Sequence, residues 1–142
     1  TMCSGRVSMR FVERAFARGV AMVLISGCHV GDCHYIDANT YTEKRFRRLR
    51  KIMEQNGLDP QRLQLVWVSA AEGKRFQEKI LAMQNKLKTL SQEEIKRGMR
   101  VFGQREKKAE QRRRKGGGID ASSAPDPKRK EPVEAGRSGF SG

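Results

Sequence analysis

Carboxylates are scarce in this chain. Sixteen aspartates and glutamates stand against 30 lysines and arginines in 142 residues, a formal charge of +14. That excess favours anionic partners and says nothing about fold. Long apolar runs are also missing: the longest, residues 20–25, is far below the roughly 20 residues that cross a bilayer, which excludes a membrane-spanning chain. Cysteine is rare as well. Three is an odd number, and two of them, Cys28 and Cys33, lie close together, so a secreted disulfide framework is a poor reading. A reducing, cytoplasmic setting is expected, with the thiols kept for chemistry. No charged-then-apolar leader follows Thr1, and the expectation is a processed chain or a fragment.

The composition divides near residue 102. Residues 1–102 carry 19 basic and 10 acidic side chains, and residues 103–142 carry 11 and 6. The second stretch has only Ile119, Val133 and Phe140 as large apolar residues, among glycines, serines and prolines. It is expected to be a disordered basic tail, because so little apolar surface cannot offset the entropy of ordering.

Helix and strand signals alternate in the first part. Ser8 is placed to cap a helix with Val12, Ala15 and Phe16 on its apolar face, ended by Gly19. Residues 20–26 read as a strand buried on both faces, a mark of parallel sheets. Thr40 with Glu43 forms a capping box for a helix carrying Phe46, Leu49, Ile52 and Met53, closed by Asn56-Gly57. Residues 63–68 read as a second strand. Ser69 with Glu72 then opens a helix striped by Phe76, Ile80, Met83, Leu87 and Leu90, and Ser91 with Glu94 opens a weaker one with Ile95, Met99 and Phe102. The order predicts an α/β fold: a small, partly parallel sheet with flanking helices, flavodoxin-like in order. A helix at the start implies a first strand before it, ending near Thr1 or Met2 and missing here.

The informative segment is Gly27-Cys28-His29-Val30-Gly31-Asp32-Cys33-His34-Tyr35, two Cys-His pairs directly after a buried strand. Ligand sites of open α/β sheets lie at that carboxyl edge, and crossover geometry brings Cys3 to the same edge. Iron and zinc both take soft thiolates on backbone free to fold around a metal. Arg6, Arg10, His29 and His34 are placed to offset part of the thiolate charge and tune a reduction potential from outside the ligand set, where Asp32 also stands. Other readings stand beside this one. Cys28 reads equally as a small hydrophobe buried at a strand end, with Cys33 a free thiol. Three cysteines and His34 would suit structural zinc. A Cys-His nucleophile is the weakest reading, with only Asp32 or Asp37 to orient the imidazole. The basic face from Lys44 to Lys51 and the run 112–115 suggest nucleic acid or another anionic surface, but no aromatic residue shares those charged faces to stack on bases.

Met2-Cys3-Ser4-Gly5-Arg6, the Cys-His segment, and Trp67-Val68-Ser69-Ala70-Ala71-Glu72-Gly73-Lys74-Arg75-Phe76 together resemble the delta subunit of methyl-viologen-reducing hydrogenase, over roughly residues 1–90. The resemblance implies a [2Fe-2S] electron-transfer protein, with Cys3, Cys28 and Cys33 as candidate ligands and no substrate chemistry of its own. It implies as partners a hydrogenase or formate dehydrogenase and a heterodisulfide reductase A-type flavoprotein. Members of that family begin with a further strand and a Cys-x-x-Cys-type loop before the position of Met2, so at least one cluster ligand is expected to be missing from this sequence. The resulting domain expectation is an iron-sulfur domain over 1–102 and a tail over 103–142.

Overall fold

A computed structural model describes residues 3–115. They run through a 3-10 turn (Ser4–Arg6), α1 (Met9–Ala17), β1 (Val23–Gly27), α2 (Ala38–Gln55), a second 3-10 turn (Pro60–Arg62), β2 (Leu63–Trp67), α3 (Gly73–Thr89) and α4 (Gln92–Arg114). The strands pair parallel, in register from Val23 opposite Leu63 to Gly27 opposite Trp67, and α2 forms the crossover between them. This is the expected α/β class. A flavodoxin-like order would set another strand between these two. Here β1 and β2 are direct hydrogen-bonded neighbours.

Local chemistry accounts for most boundaries. The Ser8 hydroxyl accepts from the Arg10 N–H and starts α1, and Gly19 takes a φ of 87° just past its end. At α4, Ser91 accepts from the Glu94 N–H, while the Glu94 carboxylate accepts instead from the Asp59 N–H at 3.1 Å, so only half of that capping box is closed. The box predicted at Thr40 does not form. α2 starts earlier, at Ala38, and the Asn39 side chain accepts the Thr40 N–H. At the start of α3, the Glu72 carboxylate accepts the Ser69 N–H at 2.7 Å and Glu72 is itself the cap position.

The core joins Val12 and Phe16 of α1, Ile25, Leu63, the α2 face Phe46, Leu49 and Met53, Leu58, and Phe102 of α4. Phe16 and Phe102 stack with ring centroids 5.3 Å apart. Arg62 is fully buried against them. Its guanidinium lies 5.1 Å over the Phe16 ring and donates to the carbonyls of Ala21 (2.7 Å), Glu94 (2.9 Å) and Val20 (3.3 Å). Burial lowers its pKa from the ordinary arginine value, and the three carbonyls take up the donors that desolvation would otherwise strand.

Two further sequence expectations are corrected. The periodicity of α3 predicts a core face, yet α3 has no buried residue, and Phe76, Ile80 and Leu87 are exposed. The composition of the stretch from residue 103 predicts disorder, but residues 103–114 continue α4. Lysine, arginine, glutamine, glutamate and alanine are good helix formers. Two ion pairs also fasten this part of α4 to α1: Arg105 to Glu13 at 2.9 Å and Arg14 to Glu106 at 2.9 Å. The expectation for residues 116–142 lies outside the described residues.

Candidate metal centre

β1 ends at Gly27 and the chain turns directly into the cysteine loop. Only glycine fits there: a Cβ would stand 2.6 Å from Ser4 Oγ and 2.9 Å from the Trp67 ring. At Gly5 a Cβ would come within 2.7 Å of the Ala38 Cβ. These two close approaches press the first 3-10 turn onto the end of β1 and the start of α2. Arg45, from α2, holds the turn by donating to the Gly5 carbonyl at 2.7 Å.

Cys3 caps that turn, its sulfur accepting the Gly5 N–H at 3.4 Å. The same docking brings it to Cys33, with the two sulfurs 3.9 Å apart and both thiols free. Two thiolates on one tetrahedral metal, each at about 2.3 Å, stand about 3.8 Å apart. The pair therefore matches two adjacent positions on a single iron or zinc.

Cys28 is placed differently. It is exposed at the end of β1, whereas Cys33 is 8% exposed. This reverses the alternative assignment, in which Cys28 is the buried thiol. Among the described residues no three His, Cys, Asp or Glu side chains converge as a metal site. The structure thus joins Cys3 and Cys33 and leaves Cys28 on the rim outside the pair.

The loop between these cysteines is pinned from two sides. Asn39, fully buried, donates through Nδ2 to the carbonyls of His29 (2.9 Å) and Cys28 (3.4 Å). From the other side, His29 Nε2 meets Glu72 Oε2 at 2.5 Å. Glu72 also receives the Ser69 N–H and Arg75, and its carboxyl is held down at about 2, chiefly by the Ser69 backbone bond and next by His29. It is ionised across the physiological range, a fixed negative charge beside the Cys28-His29 turn. Further along, the Ile36 N–H bonds to the Cys33 carbonyl at 2.8 Å, and Ile36 itself takes a φ of 58°. A β-branched residue rarely adopts that conformation, so the turn after Cys33 is strained.

Of the residues expected to surround a metal, His29 faces Glu72 rather than a sulfur. His34 is exposed with its ring edge-on to Tyr35, centroids 5.2 Å apart. Arg6 and Asp32 are exposed, and among the described residues none of these three bonds a cysteine sulfur. Asn39, Arg45 and Glu72 belong to the site without standing out in the sequence as parts of it. The Ser69–Glu72 spacing marks Glu72 for capping, but its partner His29 lies 43 residues away.

The site is a pair of free thiols docked at the carboxyl end of a parallel strand in a small α/β domain. Residues 1–91 match the family described as methyl-viologen-reducing hydrogenase, delta subunit, and the chain belongs to that family. Over 76 residues, 54% of this chain, it is 42% identical to the iron-sulfur D subunit of the F420-non-reducing hydrogenase of Archaeoglobus profundus and covers 56% of that protein. It is 37% identical over 89 residues to the vhc iron-sulfur D subunit of the F420-non-reducing hydrogenase of Methanococcus voltae, covering 63% of this chain and 62% of that one. A further match, 47% identical over 76 residues (54% of this chain), is to the A subunit of the ferredoxin:CoB-CoM heterodisulfide reductase of Methanosarcina mazei, of which this chain spans 10%. The match lies within a longer polypeptide there. Among the described residues no helix is long and apolar enough to cross a membrane.

Proposed function

We propose that this domain is an electron relay of a hydrogenase–heterodisulfide reductase system, holding a [2Fe-2S] cluster through Cys3, Cys33 and Cys28 together with at least one further ligand that this sequence does not contain. Its electrons would pass between a hydrogenase or formate dehydrogenase and a heterodisulfide reductase A-type flavoprotein. The observation that carries the proposal is the 3.9 Å separation of the Cys3 and Cys33 sulfurs, which suits two thiolates on one metal. The relatives' names, an iron-sulfur hydrogenase subunit and a heterodisulfide reductase subunit, support iron and this pair of complexes.

When bound, the cluster supplies a one-electron redox centre. The chain supplies the rest. Cys3 and Cys33 are preset at bonding separation by the Gly5 and Gly27 contacts. Asn39 and Glu72 fix the backbone and imidazole next to Cys28, which keeps that thiol at the surface where a redox partner approaches.

Anaerobic reconstitution with iron and sulfide tests this. The relay reading expects iron and acid-labile sulfide in equal amounts and a visible spectrum bleached by dithionite and restored by oxidation. Stoichiometric zinc without redox-active iron would instead make Cys3 and Cys33 structural ligands.

A further inference from the structure

α3 is the outlier of this fold. Its 17 residues contain no buried side chain, although the sequence carries a full apolar stripe. The half-exposed residues along α3 and at its C-cap are Lys79, Met83, Lys86 and Leu90, on the side where Lys86 is tied to Asp59 at 2.7 Å. At 100° per residue, the centre of the stripe lies about 60° round the helix from that line. Phe76 (39% exposed), Ile80 (42%) and Leu87 (46%) therefore form an open ridge. A stripe of this kind on a surface helix marks a contact face.

Charge identifies the occupant. Lys79 borders the ridge on one side, beside Lys86 that is already tied to Asp59, and Lys88 borders it on the other, while Glu78, the one acid within α3, sits at the back of the helix. A second copy of α3 would bring like charges together along both borders. An acidic surface would pair with them. The face is also continuous with the cysteine rim, because Glu72, which caps α3 one turn before Phe76, is the residue that holds His29 beside Cys28.

We propose that α3 is the docking face for a partner protein that presents an apolar ridge bordered by carboxylates, seated so that it reaches the exposed Cys28 rim. This rests on the relay reading for its purpose, but it involves no iron, so the two fail separately.

The probe is a fluorescein-labelled, 17-residue helical peptide with leucines along one face and glutamates beside them, titrated into the full chain at physiological salt and followed by anisotropy. The expected result is saturable binding, weakened at least tenfold by Ile80→Gln with Leu87→Gln and unchanged by Phe11→Gln, an exposed apolar residue on α1. Lys79→Gln with Lys88→Gln should weaken binding and flatten its salt dependence. Circular dichroism confirms that each variant folds. Three results would overturn the proposal. One is no binding; another is equal binding by the Ile80/Leu87 variant, which would mean capture by charge alone. The third is a chain dimer in sedimentation that the same variant dissolves, which would make the occupant a second copy.

Discussion

His29 and Glu72 join the two loops that follow the parallel strands: the imidazole after β1 meets the carboxylate after β2 at 2.5 Å. The bond spans the carboxyl edge of the sheet and fixes the turn that carries Cys28.

Because the folded Glu72 carboxyl is held at about 2, below its ordinary 4.5, it adds stability that is complete above the unfolded value. That stability is lost as pH falls from about 5 towards 2. Amide exchange at Ser69 and the His29 ring shifts should report loop release across this window. Glu72→Gln should remove the window and leave both loops more mobile at neutral pH.

Asn39→Ala should lower stability by about 1–2 kcal/mol, since it strips hydrogen bonds from the Cys28 and His29 carbonyls and from the Thr40 N–H at a buried position. Urea unfolding measures the loss. Alkylation of Cys28 should quicken in the same variant, because its backbone is no longer clamped.

Arg62→Ala should cost about 3 kcal/mol or more: three carbonyls lose their donor and the Phe16 ring loses its cover. The denaturation midpoint should fall accordingly, with the cooperative transition retained.

Phe102→Ala should cost about 3–5 kcal/mol, because the ring is fully buried against Phe16. This loss would show that α4, beyond the stretch matched by the family, is part of the domain's core. Calorimetry of the variant gives the comparison.

Much of the fold is legible in the sequence, and the exceptions have physical causes. Ser8 and Ser91 announce two helix starts because their caps are local, and the apolar run 20–26 marks β1, although the expected burial on both faces is not met: in a two-stranded sheet only Ile25 of β1 is buried and Ser26 is exposed. The spacing of Phe46, Leu49 and Met53 marks the buried face of α2 in the same way. The stripe of α3 misleads, since periodicity tells that a face is apolar and not what covers it. The helix past residue 102 is hidden because its support comes from Arg105–Glu13 and Arg14–Glu106 pairs between distant segments. At the site, the cysteines are visible as a spaced motif. Cys3 is expected at the same edge, but that it meets Cys33 and not Cys28 is not legible, because this depends on Gly5 against Ala38 and Gly27 against Ser4, contacts between residues far apart in the chain.

The central claim is that Cys3 and Cys33 share one metal. Its most direct test is iron occupancy after anaerobic reconstitution in Cys3→Ser, Cys33→Ser and the double variant. Each single substitution should release the iron as fully as both together, the non-additive pattern of two ligands on one ion. Full iron retention in Cys3→Ser, or losses that simply add, would contradict it.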